Sequence, residues 1–164
     1  RQPAFLMRGL RGGAWENAHS AGDYFQQNWH GRGAAKADFD GDYRDDLVVS
    51  HINDRPSILK NRSGPFGNRI VVSLIGVNGD RNAISATINY KVDERLRIHQ
   101  VKLNNGYLCS EPGQLILGIG DAARITDLTI DWPSGERSLI PSMLANTKLE
   151  IIEGGETFTS ELPN

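Results

Sequence analysis

Four aspartates with a fixed spacing are the feature that most constrains what this chain can fold into. They occupy positions 1, 3, 5 and 9 of one short segment: Asp38, Asp40, Asp42 and Asp46. Two carboxylates a few ångströms apart repel by roughly 1 kcal/mol even with water-like screening, so four together need a strong counter-charge. The hard cation Ca²⁺ takes six to eight oxygen ligands at about 2.3–2.6 Å. The spacing therefore predicts a calcium loop, with the carbonyl oxygen of Arg44 as a further ligand.

The flanks of the loop indicate which structural elements it connects. An EF-hand needs a bidentate acid at loop position 12 and a helix on each side. Position 12 here is Val49, and both flanks are short and favour strands. The loop is therefore expected to join two strands. The alternative interpretation is an aspartate-rich surface turn that binds no ion.

The loop and its surroundings resemble the FG-GAP or VCBS repeat of integrin-like β-propellers. The repeat has the pattern Asp-x-Asp/Asn-x-Asp-Gly-x-x-Asp-Leu, and residues 30–33, His-Gly-Arg-Gly, match the Gly-Arg-Gly that often precedes it. Tyr43 departs from the pattern because the family has glycine there, and a left-handed backbone is costly for tyrosine. The resemblance implies a propeller segment over residues 1–62, with a glycine-turn hairpin at residues 4–17 before the loop.

A turn-rich stretch at residues 63–68 is the expected linker between two domains, which cover residues 1–62 and 69–164. A single propeller blade cannot bury its own faces. The first domain is therefore expected to belong to a longer parent chain that supplies the missing blades. The start at Arg1, without an initiator Met or a signal peptide, also favours an excised fragment.

Apolar and polar residues alternate through the second domain. The alternation runs through residues 69–76 and 83–92, and further strands are expected at residues 115–117, 127–132, 136–140, 148–152 and 157–160. Short, regularly spaced strands with a period of two predict an antiparallel β-sandwich or a jelly roll. The predicted fold class is thus all-β: a partial propeller blade with a calcium loop, followed by a sandwich.

Three local features of this second domain give sharper expectations. In a strand over residues 95–103, Leu96 and Ile98 are predicted to point inward, and a change of phase near His99 predicts a β-bulge. Residues 141–145 are compatible with one helical turn capped by Ser142. Trp132 has the same parity as the apolar residues at positions 128 and 130, which places it in the core.

Four sequence segments of the second domain are similar to those of the ASPIC/UnbV family, a module found after FG-GAP repeats. They are residues 82–84 (Asn-Ala-Ile), 105–110 (Asn-Gly-Tyr-Leu-Cys-Ser), 117–122 (Leu-Gly-Ile-Gly-Asp-Ala) and 128–135 (Leu-Thr-Ile-Asp-Trp-Pro-Ser-Gly). The resemblance covers residues 69–152. Ser85 departs from it, because the family usually has glycine at that position. The resemblance implies an extracellular, calcium-binding, β-rich protein and supplies no catalytic residues.

Net charge, hydropathy and cysteine content limit the kinds of molecule that this protein is expected to bind and the covalent bonds that it can form. The net charge is −2, and the 18 Lys and Arg residues are scattered, which gives no support to nucleic-acid binding. No apolar run reaches the ~20 residues of a membrane-spanning helix. Cys109 is the single cysteine, so an intrachain disulfide is impossible.

The favoured functional interpretation is a non-catalytic calcium-binding module outside the cytoplasm, whether extracellular, periplasmic or on the cell surface. It would serve adhesion or bind a protein or glycan ligand, for which Trp15, Trp29 and Tyr107 are candidate sugar platforms. The sequence has no Gly-x-Ser-x-Gly motif and no paired-histidine zinc motif. Two alternatives stay open. One is a purely structural spacer, and the other is a carbohydrate-active enzyme, or its accessory domain, that uses acids such as Asp127, Asp131 and Glu136.

Overall fold

The computed structural model of the chain describes residues 2–10, 12–18, 20–64, 66–102, 106–111 and 113–163. Regular structure in these ranges is β-strand, apart from one 3₁₀ turn at Asp23–Gln26. The prediction of an all-β chain is thus confirmed. The chain divides into two compact units, one formed by Arg1–Gly64 with Gly106–Ser110 and the other by Pro65–Asn105 with Glu111–Asn164.

The first unit contains three small antiparallel sheets. Its strands are β1 (Gln2–Pro3), β2 (Met7–Gly9), β3 (Trp15–Asn17), β4 (Asn28–Trp29), β5 (Gly31–Ala37), β6 (Asp46–His51) and β7 (Asp54–Leu59). β1 pairs with β4, β2 pairs with β3, and β5, β6 and β7 form a three-stranded sheet in that order. The expected hairpin is present as β2 and β3, and the aspartate loop joins β5 to β6 as predicted. Membership of a propeller blade stays a prediction.

The second unit contains two four-stranded sheets. Its strands are β8 (Asn68–Ile75), β9 (Thr87–Val92), β10 (Arg95–Gln100), β11 (Gln114–Gly120), β12 (Arg124–Asp131), β13 (Arg137–Leu144), β14 (Thr147–Ile152) and β15 (Thr157–Glu161). One sheet has the order β10-β9-β12-β13, and the other has the order β11-β8-β14-β15.

Both of these sheets contribute to one hydrophobic core. Ile70 and Leu149 come from one sheet, Ile88 and Ile130 come from the other, and all four are fully buried. Trp132 joins the same cluster with 3% of its surface exposed, and its indole N–H donates a hydrogen bond to Ser138 Oγ at 2.9 Å. Two sheets that share a core are the layers of a sandwich, and the prediction that Trp132 lies in the core is confirmed.

The expectation of a wholly antiparallel sandwich is wrong for one pair of strands. β14 runs parallel to β8, with Thr147 opposite Ile70 and Ile152 opposite Ile75. Alternation along a strand indicates which side chains face the core, but it carries no information about the direction of the neighbouring strand. Parallel neighbours need a long crossover, and here the chain between β8 and β14 includes every strand of the other sheet.

The expectations for β10 and β13 also need correction. β10 pairs with β9 in unbroken register from Arg95 to Gln100, so the predicted bulge near His99 is wrong. Leu96 and Ile98 are 60% and 65% exposed rather than inward. β10 ends at Gln100, short of the predicted end, and residue 103 lies outside the described residues. The predicted helical turn at residues 141–145 is wrong as well, because β13 runs to Leu144. β13 is an edge strand, where the proline at position 141 is tolerated.

Glu153 is a buried carboxylate that fixes two loops of the second unit. It is 4% exposed and accepts hydrogen bonds from the N–H groups of Val77 and Asn78, at 2.6 and 2.7 Å, and from the Ser134 hydroxyl. These bonds favour the ionised carboxylate, and they hold the pKa of Glu153 below its usual value, with the Ser134 bond as the largest cause.

Candidate metal site

Asp46 is the buried aspartate at the end of the aspartate loop. It is the first residue of β6 and is 1% exposed. One carboxylate oxygen accepts the Phe39 N–H at 3.1 Å, and the other accepts the Asn61 N–H at 2.7 Å. A buried carboxylate needs such partners to offset its lost hydration. Asp46 therefore ties the start of the loop to the chain that follows β7.

Asp38 shapes the other side of the loop. Its carboxylate accepts three backbone N–H groups, from Gly41 and Tyr43 at 2.8 Å each and from Asp42 at 3.0 Å. The backbone must curl tightly to direct three successive amides at one side chain. Gly41 and Tyr43 accordingly have positive φ angles of 77° and 59°. The left-handed conformation expected at position 43 is thus present, and it is held by a residue with a side chain.

Three carboxylates converge inside this curl. Asp38, Asp40 and Asp42 each offer one oxygen, and these oxygens all lie within 4.8 Å of one another. Two oxygens that bind one Ca²⁺ at 2.3–2.6 Å can be at most about 4.6–5.2 Å apart. The three carboxylates therefore fit a single ion. Asp46 stands outside this group, and the carbonyl of Arg44 stays a predicted ligand.

Basic side chains around the loop offset part of its negative charge. Lys60 Nζ lies 3.0 Å from an Asp40 oxygen, and the Arg44 guanidinium pairs with the Asp42 carboxylate. The hydrogen bond to Asp42 is the largest cause that raises the pKa of Arg44 above its usual value. The two oxygens of a carboxylate together offer about four lone-pair sites, so these ion pairs do not prevent the carboxylates from binding a metal ion. Asp40 is exposed and the other two aspartates are half-buried, which leaves the group accessible from solvent.

Sequence reasoning missed two residues that support this loop. Lys60 and Asn61 follow β7 directly, and both reach back to the loop; the Asn61 side chain also donates to the Asp45 carbonyl at 3.2 Å. They lie 15 to 20 residues from their partners along the chain. Only the pairing of β6 with β7 brings them together, and no local sequence pattern signals it.

Two of the three carboxylates proposed for a glycosidase, Asp127 and Asp131, form ion pairs with basic residues. Asp127 pairs with Lys91 at 2.8 Å, which raises the pKa of Lys91 above its usual value. Asp131 pairs with Arg137 at 2.5 Å and also accepts a hydrogen bond from Asn89 Nδ2 at 3.0 Å. Glu136 lies in the turn between β12 and β13. These ion pairs account for Asp127 and Asp131 without a catalytic role.

The candidate sugar platforms differ in how firmly they are held. Trp15 and Tyr107 are 68% and 69% exposed, whereas Trp29 is half-buried. The ring centroids of Tyr24 and His51 lie 5.1 and 4.8 Å from that of Trp29. The centroids of the Tyr24 and His51 rings are only 5.9 Å from each other. Two rings stacked on opposite faces of Trp29 would be roughly 7 Å or more apart, because the indole would lie between them. Both rings therefore cover the same face of the indole.

A pocket of about 420 Å³ adjoins this tryptophan. Its lining includes Trp29, Ile52 and three polar side chains, Gln2, Arg32 and Asn53. The Trp29 indole N–H donates to the Tyr24 carbonyl at 2.9 Å, and Tyr24 Oη lies 3.1 Å from His51 Nε2. The ring is thus fixed before any ligand arrives, and polar groups lie beside it.

The chain matches one known family. The family model described as "ASPIC and UnbV" matches residues 76–158, just over half of the chain. A comparison with curated proteins gave no match. Within the described residues, no helix has the length and apolar character needed to cross a membrane.

Proposed function

The chain belongs to the ASPIC and UnbV family, and on that premise we propose that it is a non-catalytic calcium-binding module that acts outside the cytoplasm and binds a protein or glycan ligand. The observation that carries the proposal is the convergence of three carboxylate oxygens within 4.8 Å, at Asp38, Asp40 and Asp42. The loop that holds them belongs to a propeller segment of the FG-GAP or VCBS type and to a longer parent chain. The resident ion is Ca²⁺.

The donor set favours calcium over other common ions. The three converging groups are all carboxylates, and hard oxygen ligands select calcium, magnesium or manganese over zinc and copper. Magnesium demands near-ideal octahedral geometry at about 2.0–2.1 Å. An irregular, solvent-facing curl meets that demand less well than it meets the looser geometry and longer bonds of calcium.

The charge and exposure of the loop support a location outside the cytoplasm. Lys60 and Arg44 pair with two of the three carboxylates, and Asp40 is exposed. Both features weaken the attraction for an ion. Calcium modules that work outside cells bind with dissociation constants of about 10⁻⁴ to 10⁻³ M, and we expect this loop to fall in that range.

Trp29 supports a glycan as the ligand. A flat indole face beside a few polar groups suits a sugar ring, because apolar C–H groups stack on the ring while hydroxyls hydrogen-bond at the side. Arg32, Gln2 and Asn53 line the same pocket. The enzyme alternative has no comparable support, and the spacer alternative predicts no ligand at this pocket.

Calorimetric titration and thermal unfolding in Ca²⁺ and in EDTA test the calcium proposal. At ten times its dissociation constant, an ion that binds only the native state adds about 1.4 kcal/mol, so the unfolding midpoint of the first unit should rise in Ca²⁺. Asp38→Asn with Asp42→Asn should abolish both the heat of binding and the rise. Asp54→Asn is the matched control, because Asp54 is exposed on β7 of the same sheet. An unchanged midpoint with no heat of binding would overturn the proposal.

A further inference from the structure

β10 is an edge strand of the sandwich whose backbone carries neither the proline nor the bulge that would block a further strand. It is the outermost member of its sheet, and within the described residues it pairs with β9 alone. The edge strand β13 of the same sheet carries Pro141, and β11 in the other sheet has an irregular register between Gly118 and Gly120. Prolines and bulges are devices that block pairing at edges. The six residues of β10 contain neither.

The turn before β10 determines which of its backbone groups point outward. Asp93 and Glu94 form a two-residue turn with φ angles of 47° and 62°, as in a type I′ hairpin. Such a turn makes Val92 and Arg95 a hydrogen-bonded pair, and the pairs then alternate along the ladder. The N–H and C=O groups of Leu96, Ile98 and Gln100 therefore point away from β9. Within the part of the chain that the structure describes, they form a row of donors and acceptors that no other strand pairs along the sheet edge.

The side chains of β10 divide into an aliphatic and a basic face. Leu96 and Ile98 lie on one face and are 60% and 65% exposed. Arg95 and Arg97 lie on the other face and are also exposed. Of the other edge strands of the sandwich, β11 and β15 contain no basic residue, and β13 contains Pro141.

We propose that β10 is a docking edge for an extended segment of a partner protein that alternates acidic and aliphatic residues. The segment would add a fifth strand to the sheet through main-chain hydrogen bonds with Leu96, Ile98 and Gln100. Its acidic side chains would face Arg95 and Arg97, and its aliphatic side chains would cover Leu96 and Ile98. A second copy of this chain fits less well, because β10 contains no acidic residue that could pair with the arginines of another β10 strand.

A synthetic peptide of matching pattern provides the test. The probe is fluorescein-labelled Glu-Val-Glu-Ile-Glu-Val-Glu, titrated with the whole chain and followed by fluorescence anisotropy. The same peptide with Lys in place of Glu is the charge control. The acidic peptide should bind at least ten times more tightly than the basic one, and its affinity should fall as salt rises.

Substitutions on β10 distinguish binding at this strand from non-specific electrostatic binding of the peptide elsewhere on the protein. Ile98→Pro removes one outward N–H and leaves the β9 ladder intact, so it should weaken the acidic peptide at least tenfold, whereas Ile98→Val should leave the affinity within about twofold. Arg95→Glu with Arg97→Glu should invert the preference between the two peptides, and this result does not depend on whether the proline variant folds.

Three outcomes would overturn the proposal. The first is equal binding of both peptides, and the second is unchanged binding by a folded Ile98→Pro variant. The third is dimerisation of the chain in sedimentation experiments that Ile98→Pro abolishes, which would make a second copy the occupant of this edge.

Discussion

Replacement of Trp132 by alanine is expected to destabilise the second unit more than most single substitutions would. The side chain is 3% exposed and belongs to the shared core. Removal of a buried tryptophan costs about 3–5 kcal/mol, because the apolar surface loses its partners and a cavity remains. The variant also leaves Ser138 Oγ without its indole donor. The loss of about 3–5 kcal/mol is a large part of the ~5–15 kcal/mol that stabilises a typical domain.

Guanidinium unfolding in saturating Ca²⁺, followed by far-UV circular dichroism, measures this loss. With a slope of about 2–6 kcal/mol per M for a small domain, the midpoint of the second unit should fall by on the order of 1 M. Trp15→Ala is the matched control, because Trp15 is 68% exposed and surface substitutions usually stay within about 0.5 kcal/mol. A Trp132→Ala midpoint within error of the parent, or an equal loss for both variants, would refute the core assignment.

Four further substitutions separate the roles of individual residues. Asp46→Ala should destabilise the first unit by about 1–3 kcal/mol even in EDTA, because two backbone amides lose a buried acceptor. Asp40→Asn should instead reduce Ca²⁺ affinity and leave the unfolding midpoint in EDTA unchanged. Thermal scans combined with calorimetric titration distinguish the two effects. Tyr43→Gly should raise the EDTA midpoint, because a left-handed residue with φ of 59° costs about 1 kcal/mol more for tyrosine than for glycine; a fall would show that the tyrosine side chain contributes more than its backbone costs. Glu153 has a lowered pKa, so the stability that it contributes is complete above its unfolded-state pKa and is lost as pH falls through its lower native pKa. Glu153→Gln should therefore lower the thermal unfolding midpoint at pH 7 and flatten the fall of that midpoint in acid. Midpoints of the parent and the variant that fall in parallel from pH 6 to pH 3 would contradict this.

The parts of the fold that were predictable are those that short-range patterns encode. Period-two alternation placed Ile70, Ile88 and Trp132 on the buried faces of their strands, because each strand has one apolar side. The aspartate spacing and its β-prone flanks predicted a loop between two strands. β5 and β6 form that hairpin. Both inferences depend only on residues that are neighbours in the chain.

The parts that could not be predicted depend on contacts between distant segments. Nothing in β8 or β14 indicates that they run parallel. Leu96 and Ile98 have the alternation of a buried face, but they pair with Lys91 and Asn89, on the face of β9 opposite to its core residues, and are therefore exposed. Glu153 has the sequence surroundings of an ordinary surface turn, yet it is buried by partners some 19 to 76 residues away.

Binding of one Ca²⁺ by Asp38, Asp40 and Asp42, as we propose, can be followed amide by amide in a nitrogen-15 NMR titration. We expect added CaCl₂ to shift the amide resonances of residues 38–46 and to saturate with a single dissociation constant of about 10⁻⁴ to 10⁻³ M, whereas MgCl₂ at equal concentration should cause much smaller shifts. The Gly41, Asp42 and Tyr43 amides, which donate to Asp38, should move most. Loop resonances that stay unchanged at 10 mM CaCl₂, or shifts confined to residues elsewhere, would show that these three aspartates do not bind calcium.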